Sequence, residues 1–168
     1  MSEHVKWIQK SVRSRLWTLR NLKRSGFSDA ELVRVYTTII RPVIDYGAVV
    51  YHSSLTDEQD ELLDRLQNQA MKCIFGSDIS ARKMCEMAGI TTLRQRREDL
   101  CLKFAKKCSV NPRMEHLFPQ KTSRSSCRTA RETFFEGRAR CDRMKNSPLF
   151  YYLRILNRKQ GKTYGKRD

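Results

Sequence analysis

The sequence lacks most of what would tie it to small-molecule chemistry or to a lipid bilayer. No apolar run approaches the roughly 20 residues that a membrane-spanning helix needs. Residues 1–25 are interrupted by charge throughout, so no signal-peptide core is expected there. The six cysteines stand at 73, 85, 101, 108, 127 and 141, separated by 12, 16, 7, 19 and 14 residues. None forms a C-x-x-C pair, and no histidine lies at finger spacing from a cysteine pair. A structural zinc site needs closely spaced pairs, because one turn must aim two ligands at one ion. Reduced, mostly buried thiols in an intracellular protein are the expectation, with no choice made between nucleus and cytoplasm. His4, His52 and His116 lie far apart, and none has a nucleophile at motif spacing. Gly161-Lys162-Thr163 imitates the end of a phosphate loop, but Leu156 stands where the first glycine belongs and too little chain follows for a helix. No cofactor, metal or small-molecule substrate is expected.

Acid is scarce as well. Lys and Arg number 34 against 18 Asp and Glu, a net charge of +16. Hydrophobic residues make up 39% and charged residues 31%, against roughly 45–50% and 25% in ordinary globular domains. The chain has enough apolar residues for a core, though not along its whole length. Residues 1–25 carry a net +6, residues 26–75 a net −4, residues 76–110 a net +4, and residues 111–147 and 148–168 a net +5 each. So basic a balance favours partners rich in phosphate or other anions.

What is there reads as helix. Val5, Ile8, Val12, Leu16, Leu19 and Leu22 recur at spacings of three and four, which lines one face. Lys23-Arg24 followed by Gly26 make a helix stop. Ser28 with Glu31, Thr56 with Gln59 and Thr92 with Gln95 are three capping boxes, each opening a periodic segment. The second helix has Leu32, Val35, Tyr36, Ile39 and Ile40 as its apolar face, and Pro42 is expected to break or kink it at Arg41. Residues 43–51 are nearly continuously apolar; helix is favoured over strand because both neighbours are helical. Leu62, Leu63, Leu66, Ala70 and Ile74 line the helix after Thr56, and Gly76 stops it. A short helix over about 80–88 ends at Gly89, and Leu93, Leu100, Phe104 and Cys108 line the next, which should end before Pro112. The fold class is all-α: a small bundle of about five to six helices with a poorly ordered basic C-terminal third.

Three regions are expected. Residues 1–110 form the helical domain. Residues 111–146 are a basic linker with too few apolar residues to offset the entropy of ordering. Residues 147–168 are a short helix, opened by Ser147-Pro148 and carrying Leu149, Tyr152, Leu153 and Leu156, plus a basic tail.

The cluster Asp57, Glu58, Asp60, Glu61 and Asp64 invites a metal, but it falls opposite Leu62, Leu63 and Leu66 and in a first turn that favours carboxylates. A solvated face is the expectation. The basic residues say more. Arg13, Arg20, Lys23 and Arg24 lie on the first helix with Trp7 and Trp17 between them; Arg94, Arg96, Arg97, Lys103, Lys106 and Lys107 lie on the fifth. Lys and Arg neutralise phosphate without regard to sequence, and aromatics beside them stack on bases. The bland alternative is solvated helix faces with both tryptophans in the core. As a set, these residues favour nucleic acid, whether RNA–DNA hybrid, DNA or RNA. A helix-turn-helix over 80–100 has its Gly89 turn, but Gln95 and Glu98 stand where inward aliphatics are wanted.

Several segments together resemble a known family. They are Leu16-Trp17 with Leu19-Arg20-Asn21-Leu22-Lys23 and Gly26-Phe27; Leu32, Tyr36 and Ile40-Arg41-Pro42-Val43 with Asp45-Tyr46-Gly47; Leu66-Gln67 with Ala70-Met71-Lys72 and Gly76; Ala88-Gly89-Ile90 with Leu93 and Arg96-Arg97; Phe104-Ala105-Lys106-Lys107; and Ser147-Pro148-Leu149 with Tyr152-Leu153 and Leu156-Asn157. The chain resembles the region after the catalytic palm in reverse transcriptases of non-LTR, LINE-type, jockey-like retrotransposons. The likeness covers nearly the whole chain and is most specific over Ile40–Gly47 and Gly89–Arg97. Tyr51-His52 departs from it, since the family usually shows Trp there. The resemblance implies a helical thumb and its extension, lying along a template–primer duplex and gripping its backbone. It also implies a palm domain as partner, whose aspartate pair holds the metals of polymerisation. No such pair exists in this sequence, so the chain by itself is expected to be inactive and, without the palm, prone to expose an apolar face. Two other readings stand beside this one: a protein-interaction module repurposed from a retroelement, and a helix-turn-helix-like DNA-binding protein.

Overall fold

The computed structural model describes residues 2–119, 134 and 139–163, with side chains for residues 3–119, 134 and 139–158. Among these residues the architecture is helical: α1 (Ser2–Arg24), α2 (Asp29–Val35), α3 (Arg41–Asp45), α4 (Ala48–Tyr51), α5 (Asp57–Phe75), α6 (Ala81–Met87), α7 (Leu93–Val110), α8 (Asp142–Lys145) and α9 (Pro148–Thr163). There are more helices than the five or six expected, because α3, α4 and α8 are single-turn pieces. Half of the expected linker, residues 120–133 and 135–138, lies outside the described residues, as does the tail from 164 onward.

The chain divides into two compact units. One comprises Met1–Ala48 with Leu55–Arg97, the other Val49–Ser54 with Glu98–Asp168. The division falls inside α7 rather than at 110, so a single helix supplies residues to both units.

In the first unit α1 packs along α5. Val5, Ile8, Val12, Leu16 and Leu19 of α1 are buried, with Leu63, Leu66, Ala70, Met71 and Ile74 of α5. Each large aliphatic side chain removed from water contributes about 1.5–3 kcal/mol, which fixes the faces these two helices turn inward. The stop after α1 is a Schellman motif: Gly26 N–H donates to Lys23 C=O at 3.1 Å and Phe27 N–H to Leu22 C=O at 3.3 Å. Gly26 takes φ +87°, which only glycine adopts cheaply. Ser28–Glu31 and Thr56–Gln59 form both halves of their capping boxes. At the third, the Thr92 hydroxyl accepts from Gln95 N–H at 3.3 Å.

Pro42 does not break the helix. Between α2 and α3 the chain makes a π-helical stretch, Tyr36–Ile40, in which Arg41 N–H reaches back to Tyr36 C=O. Pro42 lacks an N–H, and its ring would crowd the carbonyl of Thr38 in a regular turn; the wider turn makes room. Thr37 and Thr38 hydroxyls donate to Val33 and Arg34 carbonyls at 2.7–3.0 Å, so backbone acceptors around the wide turn keep donors. The phase shift leaves Ile39 exposed, although it was expected in the apolar face. Buried Tyr36 donates to Gln67 Oε1 at 3.2 Å, and Gln67 Nε2 donates to Cys85 Sγ at 3.2 Å. That chain of polar contacts ties the π stretch to α5 and α6. Residues 43–51 are helical, as expected, but interrupted at Tyr46-Gly47, where Gly47 has φ +70°.

The second unit has its own core. Cys101, Leu102, Ala105 and Cys108 of α7 are buried with Phe118, Phe134, and Tyr152, Leu153, Ile155 and Leu156 of α9. Two residues of the expected linker, Phe118 and Phe134, therefore belong to this core. Phe118 and Phe134 meet edge to face at 6.2 Å. Helix α9 opens at Pro148 as expected, with Tyr151 N–H donating to Ser147 C=O. Cys73, Cys85, Cys108 and Cys141 are free thiols. Among the described residues no helix is long and apolar enough to cross a membrane.

Candidate nucleic-acid interface

Helix α1 buries one face and leaves the opposite one to solvent. Lys6, Lys10, Arg13, Trp17, Arg20 and Arg24 follow one another at spacings of four, three, four, three and four, and all six are exposed. At 100° per residue they lie within about 40° of a single line. Five cations and one indole thus form a stripe about 27 Å long at 1.5 Å per residue. Lys6 is shared with Glu3 at 2.8 Å. No ion pair engages Lys10, Arg13, Arg20 or Arg24 among the described residues.

The tryptophans correct the bland expectation for α1. Trp17 is 65% exposed and Trp7 50% exposed, so neither is core. Trp17 follows buried Leu16 by one residue, which turns it away from α5. The Trp7 ring stacks on His4 at 5.9 Å, with 15° between the planes. Lys6 and Lys10 complete the stripe and were not among the expected contact residues. Their spacing to Arg13 carried the signal.

The remaining predicted contact residues fall into three groups. Lys103, Lys106 and Lys107 are exposed on α7. Lys23, Arg94 and Arg96 already have carboxylate neighbours. Lys23 Nζ lies 2.5 Å from Asp29, Arg94 Nε 3.8 Å from Asp60, and Arg96 Nε 3.3 Å from Asp45. Arg97 forms the third group alone. It is 0% exposed, and its Nη2 donates to Asp60 Oδ1. A guanidinium so enclosed cannot touch a phosphate outside, and Arg97 is reassigned to the interior of the first unit.

No family model, curated protein or solved structure matches this chain.

Arg97 also corrects the reading of the acidic cluster. Asp57, Glu58 and Glu61 are exposed, but Asp60 and Asp64 are partly buried. Asp60 holds Arg97 and faces Arg94. Burial pushes the Asp64 carboxyl above the ordinary range, and the positive Arg97 pulls it part of the way back. The inner part of the cluster is therefore a counter-charge for an enclosed arginine. Among the described residues no group of His, Cys, Asp and Glu could hold a metal ion.

Proposed function

We propose that the chain is a nucleic-acid-binding helical module of the thumb and post-thumb kind that it resembles in non-LTR retrotransposon reverse transcriptases. It grips backbone phosphates through basic helices and performs no catalysis of its own. The observation that carries this reading is the α1 stripe, with five exposed cations on a rigid 23-residue helix whose other face is buried. Along duplex nucleic acid, about 27 Å spans roughly eight base steps at 3.4 Å each. The exposed lysines of α7 add to the same tendency. Such contacts read charge and not sequence. The interaction-module alternative relied on the acidic 57–64 face together with the apolar helices, and within that face Asp60 is engaged by the chain's own Arg97 and Arg94.

The test is fluorescence anisotropy of the chain with labelled RNA–DNA hybrid and DNA duplex of unrelated sequences, titrated with salt. The expected result is similar affinity across sequences and a steep linear fall of log K with log salt. Binding that ignores salt up to about 0.5 M overturns it, because phosphate contacts are screened there. Template-directed nucleotide incorporation by the purified chain overturns the non-catalytic part.

A further inference from the structure

The α1 stripe has an indole at its centre, and phosphate binding alone gives no reason for one. Arg13 and Lys10 stand on one side of Trp17 along the helix, Arg20 and Arg24 on the other. Trp17 is the most exposed aromatic ring on this helix. A lone exposed ring needs no partner by itself, but Trp17 stands in line between four cations, which offers a polyanion both charges to pair with and a flat face to stack on. A partner of complementary charge is polyanionic, and it must offer a flat apolar surface between its anionic groups.

An unpaired nucleic-acid strand has that alternation: phosphates along the backbone and bases whose faces are free to stack. A duplex keeps its base faces inside the helix stack and presents only phosphates and groove edges. Against a duplex the five cations would be satisfied and the indole would meet sugar and phosphate. We infer that the outer face of α1 is a binding site for single-stranded nucleic acid, with Trp17 as the platform for one base and Lys10, Arg13, Arg20 and Arg24 holding the flanking phosphates. This rests on the nucleic-acid reading above and adds the strand state of the ligand at this face.

The experiment compares an end-labelled oligothymidylate with a duplex of equal length, at one fixed salt concentration, using the full chain. Trp17→Ala is expected to weaken single-strand binding about tenfold, the usual range for loss of one base–aromatic stack, and to change duplex binding less than twofold. Trp17→Phe keeps a stacking ring and should retain most of the affinity. In Trp7→Phe protein, Trp17 is the sole tryptophan, and its emission should be quenched as oligothymidylate is added. The site is overturned if Trp17→Ala leaves single-strand binding unchanged or weakens both ligands equally; the salt-dependent phosphate grip would then still stand. Absence of binding to either ligand in the unmodified chain removes the nucleic-acid reading and this inference with it. A blue shift of Trp17 emission on anionic lipid vesicles, without response to oligothymidylate, assigns the stripe to a membrane surface and likewise overturns it. Because Trp17 is exposed, its variants should melt with the unmodified chain, which separates lost binding from lost fold.

Discussion

Arg97 and Asp60 form an enclosed ion pair: the guanidinium has no exposed surface, and its Nη2 donates to the Asp60 carboxylate. Among the described residues its Nε and Nη1 have no hydrogen-bond partner. Removing the carboxylate would leave a buried cation uncompensated, which typically costs about 3–5 kcal/mol. Asp60→Asn is therefore expected to lower the unfolding free energy by about that amount. Arg97→Met, which removes the charge and keeps much of the apolar volume, should cost much less. Urea denaturation of both variants checks the order, and an Asp60→Asn protein as stable as the parent would show that the pair contributes little.

Asp64 should behave in the opposite sense. Burial raises its carboxyl pKa in the folded chain, with Arg97 opposing. A raised folded-state pKa means that the proton favours the fold. The contribution is fully present below the unfolded pKa and is lost as pH rises through the folded one. Asp64→Asn mimics the protonated form. It should equal or exceed the parent in melting temperature at neutral pH, by no more than about 1 kcal/mol for a half-exposed group, and the advantage should vanish in acid. Melting curves across that pH range test the sign; an Asp64→Asn protein that is destabilised at neutral pH would show that Arg97 needs this carboxylate too.

Asn157 holds Phe134 by both faces of its carboxamide. Phe134 N–H donates to Oδ1 and Nδ2 donates to Phe134 C=O, each at 3.1 Å. Both residues are buried, so the carboxamide takes the place of a neighbouring strand for one residue of backbone. Asn157→Asp replaces the amide donor with an acceptor oxygen facing Phe134 C=O and buries a carboxylate charge, so it should cost at least the about 1–3 kcal/mol of an unsatisfied buried carbonyl. Asn157→Leu removes both hydrogen bonds without adding a charge and should also destabilise. The loss should appear in the thermal melt of the second unit. Unchanged stability in Asn157→Asp would show that the Phe134 carbonyl is satisfied otherwise.

These pairs also show how far the sequence could be read. Capping boxes are local, so Ser28–Glu31 and Thr56–Gln59 were legible from residue types three apart. Helix faces were legible from period. Trp17 was legible only in part: its bulk fits a core residue and its place among cations fits stacking, and its position beside buried Leu16 is what turns it to water. Arg97 was hidden for the converse reason. It lies four residues after Leu93 and four before Cys101, both buried, so it occupies an inward position. Its charge argued for solvent, and the partner that permits burial, Asp60, is 37 residues away. Pro42 announced a break that a π turn absorbed, since the sequence names the obstacle and not the backbone adjustment around it. The buried Phe134 sits in a stretch too polar to suggest a core, and only its distant partner Asn157 shows why it is there.

The salt dependence of binding separates the exposed arginines from the enclosed one. Each phosphate contact contributes about 0.9 to the slope of log K against log salt on duplex DNA. Arg13→Gln with Arg20→Gln should therefore flatten the slope by about two and weaken all sequences alike. Both side chains are exposed, so the double variant should melt close to the parent. Arg97→Met should leave the slope unchanged under conditions where it is folded, because its guanidinium faces Asp60 and not the solvent. Lys103→Gln with Lys106→Gln, on the exposed face of α7, measures the share of the second unit in the same units of slope. A slope insensitive to the α1 pair but sensitive to the α7 pair would move the phosphate grip to α7. A slope insensitive to both would mean that the measured affinity comes from elsewhere in the chain.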